Sequence, residues 1–84
     1  MSRFIPIDPS YSIGADFVND TSTYNGRWRR ITILKGNTSF AALTAQNWTG
    51  NSIIGEGLPA GFTIEGVFTS FELNTGGAVI AYKV

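Results

Sequence analysis

Hydrophobic and polar positions settle into a readable alternation only from residue 27 onward. Over residues 27–35 an extended chain puts Trp28, Thr32 and Leu34 on one face and Arg29, Ile31, Ile33 and Lys35 on the other. Lys35, Gly36 and Asn37 predict a turn. A second strand is expected over residues 38–45, with Phe40 anchoring one face and Leu43 the other. Residues 40–43 also suit one helical turn, but a helix that short is marginal in water, and Gly36 and Gly50 bracket it closely. Ser52, Ile53 and Ile54 predict a short strand closed by Gly55 and Gly57. Residues 58–61 suit a tight turn, because Pro59 pre-sets its φ and Gly61 can take a positive one. The longest strand is expected over residues 62–73, with Phe62, Ile64, Gly66, Phe68 and Ser70 opposed to Thr63, Glu65, Val67, Thr69, Phe71 and Leu73. Gly66 in its middle predicts a bulge or bend. Residues 74–77 read as a hairpin loop. From it residues 78–83 return with Val79, Ala81 and Lys83 opposed to Ala78, Ile80 and Tyr82.

Residues 1–25 show no such period. Phe4, Ile5, Ile7, Tyr11, Ile13, Phe17 and Val18 are scattered among Pro6, Pro9, Gly14 and several Asp, Asn and Ser residues. Phe4, Ile5 and Ile7, stopped by Asp8 and Pro9, suit a short edge strand, and the rest reads as an extended arm whose aromatic side chains need a surface to lie on. Residues 20–26, ending in Asn25 and Gly26, form the strongest turn cluster of this half. The chain therefore divides into an extended N-terminal arm, residues 1–25, and a small β domain, residues 26–84. The expected class is all-β: an antiparallel sandwich or barrel of about five to seven short strands, since strands recur every 8–12 residues or so and no crossover helix is available. Several strands carry apolar residues on both faces, so part of that surface is expected to meet another copy or a partner.

Length sharpens this expectation. A chain of 84 residues is one domain with a thin core, burying about 60–65% of its unfolded surface. At roughly 0.05–0.15 kcal/mol per residue its stability is on the order of 4–12 kcal/mol. It has no cysteine to form a disulfide and no histidine to help hold a structural zinc, which leaves self-association or docking on a larger partner as the common stabilising device. Net charge is zero and charged residues make up only 14% of the chain, so electrostatics recruits neither a nucleic acid nor a membrane surface. No run approaches the 18 or so apolar residues of a membrane span. The start of the chain reaches Pro6, Asp8 and Pro9 before an apolar stretch builds, so no signal peptide is read there; with the lack of cysteine, this favours synthesis in a reducing cytoplasm. The sequons at Asn19, Asn37 and Asn47 are accordingly read as chance.

Catalysis finds little material. Without histidine or cysteine there is no nucleophile–base pair of the usual kinds, and Lys35 and Lys83 sit at strand ends as solvated lysines do. No metal site is expected, since the soft ligands are missing and Asp8, Asp16 and Asp20 follow no calcium-loop spacing. Glu65 and Glu72 are the nearest carboxylate pair on one strand, but an odd separation sends them to opposite faces of a regular strand, and only a bulge at Gly66 would bring them together. The expectation is no enzyme and no cofactor. Arg27, Trp28, Arg29 and Arg30 form the one basic concentration. Such interleaving can track single-stranded nucleic acid, yet zero net charge and the lack of a second basic patch weigh against it, leaving a solvated strand face or a protein contact. Trp48, in a polar loop, either packs back on its own core or anchors a partner or a sugar.

Four segments carry a family likeness: Asn47, Trp48, Thr49, Gly50, Asn51 and Ser52; Leu58, Pro59, Ala60 and Gly61; Gly66, Val67, Phe68, Thr69, Ser70 and Phe71; and Gly77, Ala78, Val79, Ile80, Ala81 and Tyr82. Together they resemble small structural proteins of tailed bacteriophages, especially capsid cement or decoration proteins, over roughly residues 26–84. The resemblance implies a homo-oligomer, with a trimer expected, that sits on the capsid surface of the virion and clamps neighbouring major capsid proteins. Phe4, Ile5, Tyr11 and Phe17 of the arm, with Trp28, Arg29, Arg30 and Trp48, are the expected partner interface. The competing expectation is a carbohydrate- or receptor-binding module of a phage fibre or tail, using Trp48 with Asn47, Thr49 and Asn51 as a stacking and hydrogen-bonding platform.

Overall fold

The structure, a computed structural model, describes residues 14–84. It is all-β, with five strands: β1 (Ala15–Val18), β2 (Tyr24–Ile33), β3 (Phe40–Ala45), β4 (Thr63–Leu73) and β5 (Val79–Lys83). They form one antiparallel sheet in the order β1-β5-β2-β4-β3. The short edge strand expected around Phe4, Ile5 and Ile7 lies outside the described residues. Ala15–Val18 is paired with β5, so the sheet takes in part of the segment that the sequence reading sets apart as an arm.

The sheet folds over on itself. Register pairs Thr32 with Thr63 at one end of β2 and Tyr24 with Phe71 at the other. In a flat sheet the two ends of the 11-residue β4 would stand about 35 Å apart. Instead, Leu34 N–H donates to the Ala78 carbonyl (2.9 Å), Ala78 N–H donates to Thr38 Oγ1 (3.2 Å) and Asn74 N–H donates to the Ser39 carbonyl (3.0 Å). These bonds join the Ile33 end of β2 to the Leu73 end of β4. Register shifts supply the curvature: β2 is irregular between Asn25, Trp28 and Arg30, and β4 carries extra residues between Glu65 and Phe68 and between Phe68 and Ser70. The bend foreseen at Gly66 is the first of the two in β4. A Cβ on Gly66 would come within 2.5 Å of Trp48 Nε1, so the missing side chain also makes room for that indole.

The bulges change which side chains meet. Trp28 and Ile31 stand on opposite faces in a regular strand, yet both are buried, because the irregularity around Arg29 shifts the phase of β2. Phe68 and Phe71 are reconciled the same way in β4, and Leu43 joins Phe40 in packing on the core because β3 is irregular between Phe40 and Ala42. The core closes around Phe71, which Trp28 meets edge-on at 4.9 Å and Phe40 at 6.2 Å, with Tyr24 stacked at 5.8 Å.

Three local expectations are corrected. Asn25 and Gly26 lie inside β2, not in a turn; the turn is upstream, where Asp20 Oδ1 accepts the Ser22 N–H. Gly26 is instead where the Trp28 ring passes, about 3.1 Å from the position a Cβ would take. Residues 52–54 are not a strand: Ser52 Oγ accepts the Ile54 N–H and Glu56 N–H bonds the Ile53 carbonyl, which closes a turn. Residues 74–77 do turn, with Gly76 at φ 90°, but β4 and β5 are not paired, because β2 lies between them. The turn carries the chain from one layer of the folded sheet to the other.

Candidate functional site

Two surfaces stand out: an open sheet face and a pocket at the opposite edge. On β5, Val79 and Ala81 point into the core, so Ile80 and Tyr82 point out. Phe17 lies opposite Ile80, Ile80 opposite Thr32, and Thr32 opposite Thr63, giving one outward row across four strands. The next row runs from Ala15 through Tyr82 and Arg30 to Glu65. Phe17 is 61% exposed, and Leu34, which continues the outward side of β2, is 46% exposed. The result is an apolar strip of Phe17, Ile80, Tyr82 and Leu34, bounded by the Arg30–Glu65 pair at 3.5 Å. No second layer covers it among the described residues. Singly exposed apolar residues are ordinary, whereas these four lie together on β1, β5 and the end of β2, with Phe17 and Leu34 exposed and Ile80 and Tyr82 half-buried.

β1 is held to the sheet by more than its ladder. Asp16, on the inward side, accepts the Trp28 indole N–H at 2.8 Å and lies 4.0 Å from Lys83 Nζ.

The pocket has a volume of about 200 Å³ and lies between β3 and the loop that follows it. Leu43 and Ala45 from β3, with Ile53 and Ile54 from the loop, form apolar walls. Trp48 forms a third side, and Thr49, Asn51 and Ser52 add polar groups. The indole is pinned: its N–H donates to the Glu65 carbonyl at 2.7 Å, its ring meets Phe68 edge-on at 5.2 Å, and it lies over Gly66. Beside it Asn47 Oδ1 accepts the Val67 N–H at 2.9 Å, which satisfies a donor freed by the β4 bulge.

The expected interface residues are thus dispersed. Phe4, Ile5 and Tyr11 lie outside the described residues. Phe17 is on the open face, and Arg30 is at its border. Trp28 is only 3% exposed and belongs to the core, so its side chain is not on offer to a partner. Arg29 is half-buried at the bulge, and Trp48, 36% exposed, is at the pocket. Sequence reasoning missed Leu34, Ile80 and Tyr82 as surface and Ile54 as a pocket wall; the opposition of Ile80 and Tyr82 to Val79 and Ala81 was visible, but not which side faces out.

The bulges turn both Glu65 and Glu72 outward, contrary to the odd-spacing expectation. They are nonetheless engaged separately, Glu65 by Arg30 and Glu72 by the Thr23 hydroxyl at 2.7 Å. Tyr24 donates to both oxygens of Asp20 at 2.9 Å, and this hydrogen bond to its neutral form holds the phenol above its ordinary pKa. Among the described residues no three of His, Cys, Asp and Glu gather as a metal site, and no helix is long and apolar enough to cross a membrane.

Comparison with known proteins gives no match: no family model, no curated protein and no solved structure.

Proposed function

We propose that this chain is a non-catalytic structural subunit, a cement or decoration protein of a tailed-bacteriophage capsid that binds neighbouring major capsid proteins as a homo-oligomer. The observation that carries the reading is the outward strip of Phe17, Ile80, Tyr82 and Leu34, most exposed on the edge strand. An 84-residue fold with no disulfide gains stability when such a face is covered, and an open, mostly uncharged sheet face suits a broad protein contact better than a small substrate. The turn-and-strand resemblance over residues 26–84 points the same way, to the capsid surface of a virion assembled in a host cytoplasm.

The reading is tested on particles of the phage that encodes the chain. The natural chain is expected in a fixed ratio to the major capsid protein, and Phe17→Asp is expected to be lost from particles while its circular dichroism spectrum is unchanged. Absence of the natural chain from particles, or full occupancy by the variant, contradicts the proposal.

A further inference from the structure

We infer that the pocket beside Trp48 binds a single pyranose ring of a neutral saccharide. The inference goes beyond the assembly reading, because it concerns the β3 edge and not the open sheet face.

A tryptophan in a loop of small polar residues ordinarily folds onto its own core or lies loosely on the surface. Trp48 does neither. Its N–H is spent on the Glu65 carbonyl, its edge packs on Phe68, and Gly66 clears the space under it. What is left uncovered, 36% of the residue, contributes to the pocket wall in a fixed orientation. A pre-set aromatic wall loses little entropy when a ring stacks on it.

The remaining lining selects the class of ring. Leu43, Ala45, Ile53 and Ile54 are aliphatic, and Thr49, Asn51 and Ser52 carry hydroxyl and amide groups. Ser52 is occupied with the Ile54 N–H, whereas the Thr49 and Asn51 side chains have no hydrogen-bond partner among the described residues. No lining residue is charged. An apolar wall with a neutral rim of donors and acceptors matches a ring that has C–H faces and a hydroxyl perimeter, and offers nothing to the charge of a phosphate or a carboxylated sugar. At about 200 Å³ the space is smaller than the roughly 300–1,000 Å³ of clefts that enclose drug-sized ligands, so one ring enters and further units would extend into solvent.

The test uses the full chain labelled with nitrogen-15, titrated with the methyl glycosides of glucose, galactose, mannose and N-acetylglucosamine. The protein has two tryptophans, so its two indole N–H signals report separately on the pocket and on the core. With at least one glycoside, the Trp48 indole and the Thr49 and Asn51 amides are expected to shift saturably while the buried Trp28 indole does not. Asn51→Ala, an exposed loop change that leaves the Trp48 anchors intact, is expected to weaken that binding about fivefold, the effect of losing one hydrogen bond. No saturable shift with any of the four probes overturns the inference, as does binding that Asn51→Ala leaves unchanged. Either failure leaves the particle-occupancy test of the sheet face untouched.

Discussion

Thr38 is the one buried polar residue among those described, and it shows how single groups hold the fold closed. Its hydroxyl donates to the Lys35 carbonyl and accepts the Ala78 N–H, its carbonyl takes the Leu58 N–H at 2.8 Å, and its methyl group fills the space left by Gly77. Thr38→Val keeps the shape and removes the hydroxyl, leaving a buried carbonyl and N–H short of partners. Stability is expected to fall by about 1–3 kcal/mol in chemical denaturation, and a neutral substitution would contradict this account of the closure. Gly66→Ala would press a Cβ into Trp48. We expect about 1–3 kcal/mol of destabilisation and a large shift of the Trp48 indole N–H signal, since overpacking forces that ring out of place. Tyr24 gives a pH signature. Its pKa in the folded chain is raised above the unfolded value of about 10, so the Tyr24–Asp20 contribution is complete below pH 10 or so and is lost as pH rises through the higher folded value. A phenolate absorbance titration is expected to show Tyr24 ionising late, and Asp20→Asn is expected to bring it back toward the ordinary range. None of these roles is readable from residue type alone: Thr38 and Gly66 matter because of what residues far along the chain bring against them, and Tyr24 because the turn before β2 sets Asp20 beside its hydroxyl.

At the scale of elements, alternation located β2, β3, β4 and β5 well, because each holds apolar residues at period two. Its failures share one cause. Every bulge resets the phase, so counting from Trp28 misplaced Ile31, and counting from Phe62 separated Phe68 from Phe71. β1 escaped notice because four residues with one buried side chain, Val18, carry no period. Ile53 and Ile54 misled in the opposite direction, their apolarity serving the pocket wall and the core edge and not a strand. β1 is also the weakest element physically, joined to the sheet through β5 alone and through the Trp28–Asp16 bond. Asp16→Ala is expected to speed hydrogen exchange at β1 amides while β4 keeps its protection. Equal loss of protection in both strands would mean that β1 is not a separable unit.

For the whole molecule, the spacing of the strands predicts an all-β chain and its length a thin core, and the structure is all-β, one antiparallel sheet folded over on itself. Strand order was not legible, since the insertion of β5 between β1 and β2 depends on contacts far apart in sequence and on turns such as residues 74–77 that look like ordinary hairpins. The consequence for function is spatial. Folding the sheet over buries one side of every strand and leaves the other side of β1 and β5 open, which is why Phe17, Ile80 and Tyr82 align at the surface while Trp28 is withdrawn from it. The central claim is that this open face is an assembly surface, and the most direct measurement is the solution mass of the purified natural chain and of Phe17→Asp by light scattering over a dilution series. The account predicts a closed oligomer, a trimer, for the natural chain and a folded monomer for the variant. A natural chain that is monomeric at every concentration, or a variant of the same oligomeric mass, would contradict it.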